Sequence, residues 1–377
     1  MNLDDVVTQV AAAVGLAEGE SGIRDILSAV LTAEPAAVRE IARLAELPVP
    51  IVAAAGNELR ARGVLATQRP VQLTPEGRAA VAATAALTLD PAALAGLDGA
   101  GGPIQAAADG APGAKAELDQ THCTVETKLG RVLRLHEARA LAGQRILLLG
   151  DDDLISVALA HVVASAGRPA AIRRLTVVDT DAEVLDWIGT QVAGTGVAVE
   201  RVRHDLRAPL PPSLAGAFDV VLTDPPYTVA GAELFLSRAV AGLAAEPGRH
   251  VFFSFGARRP DETLAVQVAM AEMGLVIRSL AAGFNNYVGA GVLAGTSNLY
   301  HLRTVAGASP LIAGQFDGPL YSAANRAVAT RPYRCAQCKA VHDVGPGSQW
   351  SQIAALQAAG CPACGGVIFR PMPLVAR

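Results

Sequence analysis

The chain has 377 residues, 51% of them hydrophobic and 18% charged, enough for two or three domains and a large buried core. Its net charge of −4 argues against a general nucleic-acid-binding protein, which is normally basic. No run approaches the ~18 consecutive apolar residues of a membrane span, and the acidic start MNLDDVVTQV lacks the layout of a signal peptide, so a cytoplasmic protein is expected.

The first predicted unit, residues 1–90, contains a winged-helix-like pattern over 21–83. SGIRDILSAVL, PAAVREIARLAE and VPIVAAAGNELRARGVL carry helical apolar periodicity, the last ending near Gly63. VLATQRPVQLTPEGRAAV then reads as a two-stranded wing and a closing helix. Arg60, Arg62 and Arg69 are the candidate DNA contacts, but the presumed recognition helix is poor in basic residues, so a packing module is the preferred reading. Residues 91–116, rich in Gly, Ala and Pro, read as a linker.

Over 117–330 strands alternate with helices. RILLLG, LTVVD, VERVRHD, FDVVLTD and HVFFSF are the predicted strands, several apolar throughout, as parallel strands covered on both faces are. The expected fold is α/β, a Rossmann-like parallel sheet of the class I methyltransferase type. Ligands in such sheets sit beyond the carboxyl ends of the strands. The first strand ends at Gly150-Asp151-Asp152-Asp153, the second at Asp179 with Asp181 beyond, the third at His204-Asp205, and the fourth at Asp224-Pro225-Pro226-Tyr227.

Asp179 is placed to accept from ribose hydroxyls, with a helix N-cap as the alternative for it or for Asp181. Asp205 suits an adenine amino group, and His204 a local hydrogen bond. An Asp-Pro-Pro-Tyr at the fourth strand of this fold marks enzymes that alkylate nitrogen: the acid and a neighbouring carbonyl hold the amine, and the ring packs near the electrophilic carbon. Three acids in the first turn would repel the carboxylate of S-adenosylmethionine and suit the decarboxylated form, and acids also suit a polycationic amine that must lose a proton before it attacks. A divalent-metal site is the alternative for the acid run.

DQTHCTVET (119–127), ILLLGDDDLISVALA (146–160), VVDTDAEVLDWI (177–188), HDLRAPLP (204–211), FDVVLTDPPYTVAGAELFLSRAV (218–240) and NYVGAG (286–291) together resemble the branched-chain polyamine synthases. The resemblance implies an N-terminal winged-helix-like domain and a Rossmann-type catalytic domain. It also implies two successive aminopropyl transfers from decarboxylated S-adenosylmethionine to spermidine, with release of methylthioadenosine. Carried over by motif, Asp153, Asp224 and Tyr227 are the catalytic residues, with Asp153 the acid that activates the amine. Gly150, Asp151, Asp152, Asp179, Asp181, Asp205, Pro225 and Pro226 are expected to bind the co-substrate.

The tail, 331–377, departs from that family. Cys335-x-x-Cys338 and Cys361-x-x-Cys364, 22 residues apart, have the spacing of a zinc-ribbon-like module with a structural zinc. His342 reads as a surface residue and Cys123 as a small buried one. Two rival functions are an N-methyltransferase or aminocarboxypropyltransferase using intact S-adenosylmethionine, and a DNA-binding regulator with a degenerate enzyme domain. The expected partners are a polyamine or other amine substrate, without membrane or nucleic acid; a homodimer is left open.

Overall fold

The computed structural model describes residues 2–85, 89, 99–288, 295–321, 331–345, 348–350 and 353–372. The chain forms two compact units, one of residues 1–114 and 120–317, the other of 115–119 and 318–377. Among the described residues, no helix is long and apolar enough to cross a membrane.

The first unit opens with five helices: α1 (Leu3–Val14), α2 (Gly19–Ala33), α3 (Val38–Ala45), α4 (Val49–Ala61) and α5 (Pro75–Ala85). Asn2 caps α1 by accepting from Asp4 N, and Gly15 ends it in the left-handed conformation. Val7, Val10, Ile23, Ile26, Ile41, Val52 and Leu59 share one core. Thus α1, which precedes the stretch read as a winged helix, belongs to the same body. In place of two wing strands there are isolated bridges, Leu65↔Leu73 and Ala36↔Val71. Two of the candidate DNA contacts are engaged internally: Arg60 Nε donates to Ala66 O (3.2 Å), and Arg62 pairs with Glu58.

The stretch read as a linker is corrected in part. Residues 101–109 form helix α6 (Gly101–Asp109), and Ile104 and Ala107 enter the core of the following domain. Trp187 Nε1 donates to Ala107 O (3.0 Å), and its ring occupies the space a Cβ on Gly110 would need. A run of small residues reads as flexible in isolation, yet it is what lets a helix approach an indole this closely. Residues 91–98 of the predicted linker lie outside the described residues.

The rest of the unit comprises α7 (Val125–Glu137), β1 (Arg145–Leu149), α8 (Ile155–Ser165), β2 (Arg174–Asp179), α9 (Ala182–Val192), β3 (Val199–Arg203), β4 (Val220–Thr223), α10 (Val229–Gly242), β5 (His250–Phe255), α11 (Pro260–Glu272), β6 (Leu275–Asn286) and β7 (Thr296–Thr304). The sheet order is β3-β2-β1-β4-β5-β7-β6. The first five strands are parallel, with Leu147 opposite Thr176 on β2 and Val221 on β4. β7 runs antiparallel to both β5 and β6. This is the expected α/β class with a central parallel sheet. The β6–β7 hairpin was not predicted: β6 is exposed along most of its length and lacks an alternating apolar face.

The second unit holds β8 (Arg331–Cys335), β9 (Val341–Val344), α12 (Ile353–Ala359) and β10 (Phe369–Pro371), with antiparallel order β10-β8-β9. Its small core is Cys335, Val344, Leu356, Cys361 and Phe369.

Candidate active site

The carboxyl ends of β1, β2 and β4 bring together most of the predicted acids. Gly150 turns the chain after β1 at φ +73, a left-handed conformation. The three acids that follow have three different tasks. Asp151 accepts from Ile155 N (2.7 Å) and Ser156 N (3.1 Å), so both oxygens hold the amino end of α8. Asp152, the least buried of the three, accepts from Thr121 N through Oδ2 (3.0 Å). Asp153 accepts from Cys123 N through Oδ1 (2.6 Å) and from Arg131 Nη1 through Oδ2 (2.8 Å).

The second strand supplies a brace. Asp179 accepts from Asp151 N (2.9 Å) and Asp181 N (2.8 Å), and Asp181 caps α9 by accepting from Glu183 N (3.1 Å). Both helix-capping and turn-bracing roles are therefore occupied by these acids, alongside any ribose contact. Asp205 is not brought into the group: it pairs with Arg207 (2.7 Å) and is half exposed. His204 reaches Pro209 O (3.0 Å).

After β4, Pro226 O accepts from Thr228 N (2.7 Å), and Thr228 caps α10 by accepting from Gly231 N (2.9 Å). A Cβ on Gly231 would lie 2.3 Å from Pro226 O, so the turn that presents Asp224, Pro225, Pro226 and Tyr227 requires glycine there. Tyr227 packs edge-on against Phe255, ring centroids 5.5 Å apart, and lies where a Cβ on Gly256 would come within 2.6 Å.

Arg131 on α7 joins the two motifs, and the sequence reading missed it. Its side chain is 5% exposed; it donates to Asp153 Oδ2, to Asp224 Oδ2 (2.7 Å), to Asn285 Oδ1 (2.8 Å) and to Tyr287 OH (3.2 Å). Tyr287 OH donates to Asp224 Oδ2 (2.6 Å), and Tyr227 OH lies 3.0 Å from Asp224 Oδ1. Lys128, one helical turn before Arg131, is also buried and donates to Cys123 O (2.6 Å). The 120–124 segment is thereby held between the acid turn and the end of β6, where Thr124 N donates to Asn286 O (2.8 Å) and Val288 N to His122 O (2.8 Å). Gly289, Ala290 and Gly291 of the NYVGAG motif lie outside the described residues.

These contacts divide the carboxyls electrostatically. Burial raises all of them. For Asp153, the Arg131 and Lys128 charges overcome burial and hold it below the usual carboxylate range. For Asp224, burial dominates Arg131, with Asp153 adding repulsion, and the carboxyl is pushed up to about 6. Burial pushes Asp151 up to about 7 and raises Asp152 and Asp179 as well. Burial likewise raises the Cys123 thiol, which fits an inert packed residue.

In the second unit, the sulfur atoms of Cys335, Cys338, Cys361 and Cys364 lie within 4.8 Å of one another. Cys335–Cys364 and Cys338–Cys361 separations are 3.6 Å, too long for disulfides and near the ~3.8 Å edge of a tetrahedral zinc–thiolate site. A Cβ on Gly366 would come within 3.3 Å of Cys335 Sγ. His342, read as a surface residue, is half-buried with Nε2 3.2 Å from Cys361 Sγ.

A family model described as the branched-chain polyamine synthase A C-terminal domain matches residues 104–306. An uncharacterised protein of Methanocaldococcus jannaschii is 30% identical over 97% of this chain and 92% of its own. The N(4)-bis(aminopropyl)spermidine synthase of the same organism is 26% identical over 76% of this chain and 83% of its own. Among solved structures, the branched-chain polyamine synthase from Thermus thermophilus, in complex with N4-aminopropylspermidine and 5'-methylthioadenosine, superposes with a TM-score of 0.52 at 25% identity, covering 84% of this chain and 97% of that one. The chain belongs to the branched-chain polyamine synthase family of aminopropyltransferases.

Proposed function

We propose that the protein transfers aminopropyl groups from decarboxylated S-adenosylmethionine to an amine nitrogen of a polyamine, with spermidine the acceptor and methylthioadenosine released. The observation that carries this reading is the pairing of the acidic turn with Asp224 and Tyr227 around one buried guanidinium. The amine nitrogen attacks the aminopropyl carbon bound to sulfur. The carbon–sulfur bond breaks with its electron pair going to sulfur, and the amine proton leaves to a carboxylate.

The geometry favours Asp224 over Asp153 as that carboxylate. Asp153 is held ionised by the charges of Arg131 and Lys128, which makes it a weak base. Asp224, raised to about 6, is more accessible and matched to accepting a proton near neutrality. Asp153 then serves to fix Arg131 and the 120–124 segment. Asp152 supplies negative charge for the ammonium of the donor, and Asp179 remains placed for the ribose. Pro225 and Pro226 hold the amine-binding turn.

Decarboxylated S-adenosylmethionine should bind at least about tenfold tighter than the intact form, a difference of about 1.4 kcal/mol. Incubated with spermidine and the decarboxylated donor, the protein should yield products one and two aminopropyl units heavier by mass spectrometry. Methylated amine from intact S-adenosylmethionine, with no aminopropyl product, would favour the methyltransferase reading instead.

We further propose that Cys335, Cys338, Cys361 and Cys364 hold one structural zinc, closing all four positions. Metal analysis should find one zinc per chain. Cys361→Ser should lose it and speed amide exchange within 331–372, because metal and fold are linked. Zinc-free purified protein with the same exchange pattern would refute the assignment.

A further inference from the structure

The hydroxyl network behind Asp224 has a direction. Tyr287 follows β6, and its backbone is fixed from two sides: its N–H donates to Gly295 O (3.0 Å), and it bridges Cys123 on the 120–124 segment. Asn285 on β6 and Ser297 on β7 face each other across the hairpin, and both are buried. Asn285 Nδ2 donates to Ser297 Oγ (2.8 Å) and to Ser254 Oγ (3.1 Å), while its Oδ1 accepts from Arg131 Nε. Ser297 thus accepts from an amide and has its own hydrogen for Tyr287 OH, 2.8 Å away.

A hydroxyl donates one hydrogen and accepts at most two. At Tyr287 the acceptor places are met by Arg131 Nη2 (3.2 Å) and Ser297, so its hydrogen is committed to Asp224 Oδ2 (2.6 Å). The same Oδ2 accepts from Arg131 Nη2 (2.7 Å) and is filled. With Tyr287 already taken, Tyr227, though its hydroxyl lies 2.7 Å away, has Asp224 Oδ1 as its acceptor (3.0 Å). Among the described residues Oδ1 has no other donor, so it keeps room for one more hydrogen. A residue of the hairpin makes the two oxygens of one carboxylate unequal.

We propose that Tyr287 is a positioning residue for the transfer: by committing its one hydrogen to Oδ2 it holds the Asp224 carboxylate charged and leaves Oδ1 as the atom that receives the amine proton. This rests on Asp224 as the base. Nitrogen bonds the aminopropyl carbon as the carbon–sulfur pair leaves with sulfur, and the proton lost by nitrogen is bound at Oδ1. The titratable groups facing Asp224 are Arg131 from α7, Asp152 and Asp153 from the turn after β1, Tyr227 from its own turn and Tyr287. Burial pushes the Asp224 carboxyl up and Arg131 pulls it down; Asp153 pushes it up and the Tyr287 hydrogen bond pulls it down. Removing that hydroxyl takes away a bond to the charged form, so the carboxyl must move up.

Tyr287→Phe keeps the ring and removes the hydroxyl. Single-turnover rates of wild type and variant are compared from pH 5 to pH 8.5, with decarboxylated S-adenosylmethionine and spermidine saturating. Titration of the amine is common to both proteins, so the ratio of their rates isolates the carboxylate. The wild type should be faster by about tenfold at pH 5 and by less than about threefold at pH 8.5, as for a carboxyl moved up by about one pH unit. Ser297→Ala, which leaves Asn285 its bond to Ser254, should change the ratio in the same sense by less. Both variants should bind methylthioadenosine within about threefold of wild type, which shows them folded with the donor pocket intact. A ratio that stays constant with pH gives Tyr287 only a structural role and overturns the inference, with Asp224 still the base. Loss of methylthioadenosine binding by Tyr287→Phe overturns it too. A wild-type rate in Asp224→Asn overturns the base and the inference together.

Discussion

Arg131→Met should all but abolish turnover and cost about 3–5 kcal/mol of stability near pH 8, the range for removing one partner of a buried ion pair. Methionine fills similar space, so lost volume is a minor part of the effect. What remains is Asp153 and Asp224, buried and close together, without the guanidinium that donates to both. Each carboxyl then has a higher folded-state pKa than in the wild type. A carboxyl raised above its unfolded value destabilises the native state as pH rises through the window between the two values. The destabilisation should therefore be largest at pH 8 and smaller at pH 5, where protonation relieves the pair. Urea unfolding at both pH values measures it. The double variant Arg131→Met/Asp153→Asn should recover part of the loss, since one orphaned charge is gone. A single variant within about 0.5 kcal/mol of wild type at pH 8 would show that Arg131 is dispensable, contrary to its four contacts.

Asp224→Asn is expected to slow single-turnover transfer about 100- to 10,000-fold, the usual range for a lost general base. The amide keeps the shape, and its oxygen can still accept from Arg131, but it cannot take a proton. The pH profile gives the sharper readout. In the wild type, Asp224 must be ionised to accept the amine proton, so the rate should rise through about pH 6, where its carboxyl titrates. The variant should lose that rise. Asp153→Asn should instead keep it, with its principal cost in stability and donor binding, because Asp153 is already ionised and anchored. If Asp153→Asn flattens the profile while Asp224→Asn preserves it, the two roles are exchanged.

The sequence by itself determined those features that depend on neighbouring residues. Runs of strand length, four of the five ending in an acid, defined the parallel sheet and the edge where most of those acids gather. Asp224-Pro225-Pro226-Tyr227 marked what the fourth strand brings to that edge, and two cysteine pairs marked the cluster in the tail. What it left open was decided by closure of the fold. Lys128 and Arg131 lie on a helix face they share with Val132 and Leu135, and a sequence reading sends such charges to solvent. They are buried because carboxylates and carbonyls from β1, β4 and the 120–124 segment meet them there. The three consecutive acids appear equivalent in sequence, yet the start of α8 takes Asp151, Arg131 takes Asp153, and Asp152 alone keeps partial access. Residues 101–109 of the predicted linker are helical, and Trp187, distant in sequence, supplies part of their packing surface. Local pattern specifies which residues a strand or turn presents. Whether a charge there is solvated, capping a helix or paired in the core depends on groups that only tertiary contact brings within a few ångströms.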